Sequence, residues 1–320
     1  MQLQTQIPIS PAANLIDYES QVLLLGSCFT ENIGNKLTYF QFRNWQNPFG
    51  VIFNPVSIQK LLQKASEQAL FTKADIFQQD EIWYSFLAHG SCSSLDDEGL
   101  VILLNEKLSL LKKAVSESSH IVITLGTAWV YNHLATNEIV ANCHKVPQQH
   151  FNKSILSVAE IEQALYQIIS ITDHLNPNAQ VIFTISPVRH IKDGMIGNSQ
   201  SKAHLITAVQ RVVANTSTSY FPAFEILIDE LRDYRYYASD LLHPNEIAIE
   251  YLWNRFKKAW ISETTESLQQ QIQIIQTGLN HRPFQPSSKK HQAFLSNLKL
   301  QIETVTKELP WADFNERKRA

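Results

Sequence analysis

Short apolar runs that stop at a small or polar residue recur along this chain, with longer segments of helical period between them. That alternation is how a chain of β-strand, helix and β-strand units with a buried parallel sheet reads. The runs are residues 21–25 (QVLLL, ending at Gly26), 120–125 (HIVITL, Gly126), 180–185 (QVIFTI, Ser186) and 224–228 (FEILI, Asp229). Helical periodicity covers 30–40, 56–69 behind Pro55, 105–118, 157–175, 200–217 and 246–261. The expected fold class is therefore α/β: a three-layer α/β/α sandwich around a central parallel sheet. Residues 81–87 alternate rather than run, and 129–142 reads as a hairpin-like insertion around Thr136 and Asn137.

After Trp260 the character changes. Residues 264–279 and 286–308 are rich in Gln, Glu, Lys and Leu at helical spacing, with Pro283 and Pro286 between them, which predicts two antiparallel helices. The division expected is an α/β domain over 1–262 and a C-terminal helical extension over 263–320, ending in a frayed NERKRA tail. The extension has three open roles: covering the α/β domain, swinging as a unit, or making an oligomer contact.

With 27 Lys+Arg against 30 Asp+Glu, the net charge of -3 argues against a nucleic-acid partner. A composition 44% hydrophobic and 18% charged fits a globular chain. No apolar stretch reaches the roughly 18 residues of a membrane span. The first ten residues lack the basic and apolar regions of a signal peptide, and Cys28, Cys92 and Cys143 form neither a disulfide framework nor a CxxC site. The expectation is a cytoplasmic protein with no membrane partner. No Gly-rich phosphate loop and no clustered ligand spacing occurs, so no cofactor and no metal is implied, Cys143 and His144 included.

Chemistry in an open parallel sheet sits beyond the carboxyl ends of the strands. Gly26-Ser27-Cys28-Phe29-Thr30 places a hydroxyl and a thiol where a strand turns into a helix, and a helix N-terminus favours a thiolate or an oxyanion. The blander possibility is an N-cap serine followed by a buried cysteine. Late in the chain, Asp240 and His243 stand three apart before Pro244, a spacing that lets a carboxylate orient an imidazole. Capping of a helix start would explain the same pair. Arg189, His190, Lys202 and Arg232 are expected to ring the pocket, where a guanidinium clamps a carboxylate or phosphate on a substrate.

These motifs carry a resemblance. VLLLGSCFTENIG (22–34), NPFGVIFNP (47–55), TLGTAWVY (124–131), CHKVP (143–147), SPVRHIKDGMIGNSQSKAHL (186–205) and YFPAFEILIDELRDYRYYASDLLHPNEIA (220–248) resemble the GSCFA family, one of the SGNH (GDSL-like) hydrolases. The resemblance implies an SGNH-like α/β/α fold and hydrolysis of acyl or O-acetyl esters on a small molecule or carbohydrate. It sets Asp240 and His243 in the family's acid and base positions and puts Cys28 at the nucleophile's place, with Ser27 one residue back. For the oxyanion it offers the N–H of Cys28 and Gly50. The Gly-x-Asn-Asp block of typical SGNH enzymes falls on Gly126-Thr127-Ala128-Trp129, so its asparagine is replaced by Ala128, which leaves Thr127 or Asn47 to substitute. The alternatives are a thiol-dependent acyltransferase and a non-catalytic module that binds a carbohydrate or acyl ligand. A cysteine peptidase ranks last, for want of any papain-like pattern around Cys28.

Overall fold

The computed structural model describes residues 4–314; the expected frayed tail, 315–320, lies outside the described residues. Five strands form one parallel sheet: β1 (Gln21–Gly26), β2 (Arg43–Gln46), β5 (His120–Leu125), β9 (Gln180–Ile185) and β10 (Ser219–Phe221). Their order is β2-β1-β5-β9-β10. The chain leaves β1 toward one edge and returns to the other side, so the topological switch point falls between β1 and β5, where the order of such a doubly wound sheet opens a crevice.

Strand periodicity divides the core into two faces. Leu23, Leu25, Ile121, Ile123, Leu125, Phe183 and Ile185 face a layer of four helices: α2 (Pro55–Glu67), α3 (Asp97–Glu117), α4 (Val158–Leu175) and α5 (Gly194–Ala214). Val22, Leu24, Val122 and Ile182 face α1 (Cys28–Tyr39), α7 (Glu246–Trp260) and α8 (Glu266–Asn280). Helix starts follow local chemistry. Ser27, Asn54, Asp96, Ser157 and Asn245 each accept a backbone N–H at an N-cap, and Ser157 with Glu160 closes a capping box.

Two small antiparallel sheets lie outside this frame. One pairs β3 (Phe77–Gln79) with β4 (Ile82–Tyr84); the other sets β6 (Trp129–His133) between β7 (Glu138–Val140) and β8 (Phe151–Ile155), the hairpin expected around Asn137. The C-terminal pair is α8 with α9 (Lys289–Glu308). Leu268, Ile272, Ile275, Leu298 and Val305 from these helices join the core beside Trp253 and Phe256 of α7. No helix among the described residues is long and apolar enough to cross a membrane.

One strand assignment fails. Residues 224–228 are not a strand but part of a helical turn, α6 (Ala223–Glu225), that runs on as a π-helix over Ile226–Leu231. A short apolar run does not by itself separate a strand from a buried helix. Here Ile226, Leu227, Glu230 and Leu231 are the buried positions, a helical spacing. The strand at this edge is the three-residue β10 just before it.

Candidate active site

Loops from the carboxyl ends of β1, β2, β5 and β9, and the turn before α7, supply the candidate residues. At β1, Gly26 (φ +132°) has no room for a side chain: a Cβ there would stand 2.1 Å from the Thr124 carbonyl oxygen. This close approach brings the chain into α1 with Ser27 as its N-cap. Ser27 is 2% exposed and its Oγ accepts the Phe29 N–H at 3.3 Å. Cys28, the first residue of α1, is half-buried and free. Burial pushes its thiol up, with the Glu31 carboxylate adding to the rise, while the N–H groups of Cys28 and Phe29 and the charge of Lys202 pull it down. The Ser27 hydroxyl thus accepts in the helix cap, while the Cys28 thiol meets the N–H groups of the same first turn.

The turn before α7 holds the other pair. Asp240 Oδ2 lies 2.6 Å from His243 Nδ1, and Asp240 Oδ1 accepts the backbone N–H groups of Leu242 and His243 at 2.9 and 3.0 Å. These bonds, the backbone ones first, lower the carboxyl to about 2. The carboxylate therefore fixes the imidazole with Nδ1 toward it and Nε2 away. Both side chains are close to half exposed, and Leu241 between them adopts the left-handed region at φ 60°.

Asn47 sits at the end of β2 with φ 38°. Its Oδ1 accepts the Gly26 N–H at 2.8 Å, which settles the amide's orientation, because only oxygen can face that donor. Its Nδ2 is buried and has no hydrogen-bond partner among the described residues. The Gly50 N–H, in contrast, donates to Asn47 O at 2.7 Å and closes a turn. Asn47 and Gly50 also line a cleft of about 300 Å³ that reaches Glu31, Ser91 and Cys92.

Beyond β5, Thr127 is buried: its Oγ1 lies 2.9 Å from Ser201 Oγ and accepts the Trp129 N–H at 3.0 Å. Ala128 is fully buried and donates its N–H to Ser201 Oγ at 2.7 Å. Ser201, absent from the sequence-derived candidates, thus ties this loop to α5.

Lys202 departs from its expected place on the pocket rim. It is 2% exposed, and its Nζ donates to Gly126 O at 2.7 Å and Ser186 O at 2.6 Å, the carbonyls just past β5 and β9. The α5 residues Asn198, Ser201, Lys202, Leu205, Val209 and Val212 make one buried face, so the lysine occupies a core position on its helix. Burial lowers its amine to about 7.

His190 packs on Phe53 with ring centroids 5.2 Å apart, and its backbone N–H donates to Asn198 Oδ1. Burial first, then the charge of Lys202, with a further contribution from His243, lowers the imidazole to about 4, so it is neutral near pH 7. Arg189 is partly buried and acts electrostatically on Lys202 and Tyr237, but no side-chain hydrogen bond or ion pair engages it among the described residues. Arg232 is exposed, at φ 35° after the π-helical turn, and nothing ties it to the other candidates. His144 is held by Ser85 O at 2.8 Å and stacks on Tyr84. Lys202 acts electrostatically on Cys28 and His190, and His243 on His190, but no hydrogen bond or ion pair joins these four side chains.

The thiol at the helix N-terminus beside the switch point and the carboxylate-oriented imidazole on the turn before α7 both sit on the loops of a doubly wound α/β sheet. The family model described as GSCFA family matches residues 21–256, and that of the GSCFA domain protein, C-terminal domain, matches residues 272–320. The chain belongs to the GSCFA family. No curated protein matches the sequence. Among solved structures, one from Parabacteroides merdae ATCC 43184 described as a "putative GDSL-like lipase" is similar at 13% identity and a TM-score of 0.40, over 78% of this chain and 98% of that one.

Proposed function

We propose that this protein is an acyl-ester hydrolase that works through a thioester on Cys28. The observation that carries the reading is the 2.6 Å bond from Asp240 to His243 Nδ1, which leaves Nε2 for proton transfer. In the first half-reaction His243 Nε2 accepts the thiol proton as the Cys28 sulfur attacks the acyl carbonyl. The carbon–oxygen bond to the alcohol then breaks as His243 donates a proton to the leaving oxygen. In the second, His243 accepts a proton from water while the water oxygen attacks the thioester, releasing a carboxylate and restoring the thiol. The Cys28 N–H and the unpartnered Asn47 Nδ2 stabilise the oxyanion, Asn47 standing in for the asparagine replaced by Ala128. Gly50, its N–H turned onto Asn47 O, holds Asn47 in place. The substrate is a small-molecule or carbohydrate acyl ester, an O-acetylated sugar among them, and Arg189 offers a charge for an anionic group on it. The thiol nucleophile fits a reducing compartment, and we place the enzyme in the cytoplasm.

The test is turnover of p-nitrophenyl acetate under reducing conditions by wild type and by Cys28→Ala, Ser27→Ala and His243→Ala. Loss of about 10³-fold or more in Cys28→Ala and about 10²-fold or more in His243→Ala, with little change in Ser27→Ala beyond a weakened helix cap, is the expected result. Loss confined to Ser27→Ala moves the nucleophile one residue back. A second reading, acyl transfer, is favoured by the thiol itself, since a thioester hands its acyl group to alcohols, thiols or amines. Acylated product formed when such an acceptor is added separates transfer from hydrolysis. Background rates in every protein on a panel of esters would favour the binding-module reading.

A further inference from the structure

The hairpin that α8 and α9 form has a tip that stands clear of the core. No residue from 277 to 297 is buried, whereas Ile272, Ile275 and Leu298 on either side of that stretch are. Gly278 marks where the two helices close, since a Cβ there would stand 2.8 Å from a Leu298 methyl carbon. Lys289, the first residue of α9, comes nine residues before Leu298, so the start of the helix projects about 13 Å past that core contact. Rings brace the hairpin from within: His281, just past α8, and His291 both pack on Phe294, with centroids 5.5 and 5.9 Å away.

Charge and apolar exposure coincide at this tip. From residue 267 to residue 302 the sequence holds no Asp or Glu, on a chain whose net charge is -3. Arg282, Lys289 and Lys290 are exposed there, and none of the three meets a carboxylate among the described residues, whereas Lys299 farther down α9 pairs with Glu303. Between these cations Phe284 is 100% exposed, in a loop stiffened by Pro283 and Pro286, and no other ring packs on it among the described residues. A bare phenyl ring ringed by cations without counter-charges suits a surface with negative charge outside and hydrocarbon just beneath. We propose that the α8–α9 tip docks on an anionic lipid bilayer. Phe284 enters the boundary between headgroups and acyl chains, and Arg282, Lys289 and Lys290 stay at the level of the phosphates. One ring and three cations make this attachment peripheral and reversible, so it needs no spanning helix. A second copy of the chain fits the surface less well, because two tips meeting about a two-fold axis would set like charges together. A nucleic acid draws its affinity from many phosphate contacts, and three cations on an acidic chain supply few. The base of the hairpin is fixed in the core beside Trp253 and Phe256, so a docked tip holds the α/β domain against the bilayer.

The test is sedimentation of the full chain with sucrose-loaded vesicles, made of phosphatidylcholine alone or with an equal part of phosphatidylglycerol, at low and at high salt. Wild type is expected to sediment with the anionic vesicles at low salt, to be released as salt rises, and to stay in solution beside the neutral ones. A cation near an anionic leaflet is worth about a fivefold change in partition, so Lys289→Gln combined with Lys290→Gln is expected to weaken binding about tenfold or more. Phe284→Ser is expected to weaken it about tenfold. Lys113→Gln combined with Lys258→Gln removes the same charge from exposed positions on α3 and α7, and is expected to leave partition within about twofold. Circular dichroism checks that each variant is folded. No sedimentation with anionic vesicles at low salt, equal binding to neutral ones, or an equal loss in the α3 and α7 pair would each overturn the proposal. Binding of a fluorescent single-stranded RNA through the same residues, without vesicle binding, would give the surface to nucleic acid instead. Docking needs no ester: a chain that docks and cleaves nothing upholds this proposal and removes the hydrolase reading, and a chain that cleaves esters and never sediments does the reverse.

Discussion

The ionisable residues of the site differ in how much of them shows in the sequence. Asp240 and His243 are visible because their partnership is local: a three-residue spacing closed by bonds within one turn. Exchanging Asp240 for Asn replaces the acceptor that fixes the ring and is expected to lower kcat by about 10²-fold or more with little change in KM, read from ester turnover. Lys202 is hidden because lysine is almost never fully buried, so a lysine in a loop-to-helix segment reads as surface. The one local hint is its place on the stripe with Leu205, Val209 and Val212. Asn47 and Ser201 gave weaker hints still, since their roles come from strands and helices far away in the chain. His190 makes a prediction of sign. Its native value of about 4 lies below the ordinary 6.5, so above pH 6.5 both native and unfolded chains carry a neutral ring. As pH falls from 6.5 to 4, the unfolded chain takes up a proton that the native chain does not, and stability declines. Guanidinium unfolding of His190→Gln at neutral and acidic pH is expected to show a shallower acid loss than wild type.

At the scale of elements, the buried strands were legible because they are uniformly apolar, and the edges were not. Strand β2, RNWQ, is half-buried along its length and carries no apolar run, while β10 has three residues. The run FEILI has strand composition, yet Pro222 precedes it and Glu230 is drawn inward to form an ion pair with Arg255 at 3.0 Å and to accept from Tyr251 at 2.8 Å. Replacing Glu230 by Ala leaves the Arg255 guanidinium unpaired in a largely buried place, an expected loss of about 3 to 5 kcal/mol in chemical denaturation. Gly26 sets a second test. A methyl group there meets the Thr124 carbonyl and a backbone angle that side chains rarely adopt, so Gly26→Ala is expected to cost about 3 kcal/mol or more and to disturb the Cys28 turn. Denaturation midpoints and the alkylation rate of Cys28 read the two effects separately.

Across the whole molecule, the α/β/α layering was legible in the alternation of runs and periods, whereas the seating of the C-terminal helices was not, since Gln-rich amphipathic segments suit a cover, a swinging unit or a contact equally. The structure seats α8 on the α7 face, with Ile272 and Ile275 fully buried in the same cluster as Trp253 and Phe256. We accordingly expect the full chain to unfold in one calorimetric transition, not as separate units over 1–262 and 263–320, and a chain ended after residue 262 to melt lower or aggregate. The same face is laced from the other end: Ile16 bridges to Ile261, the Ile7 N–H donates to Glu230, and Gln41 exchanges two bonds with Asp313. On the ribosome these contacts are a matter of waiting. At about 5 to 20 residues per second, Ile16 is made roughly 10 to 50 s before Ile261 exists to receive it. Through that interval Ile7, Ile9 and Ile16 have no native cover, which makes the segment that carries them a natural client of a holding chaperone.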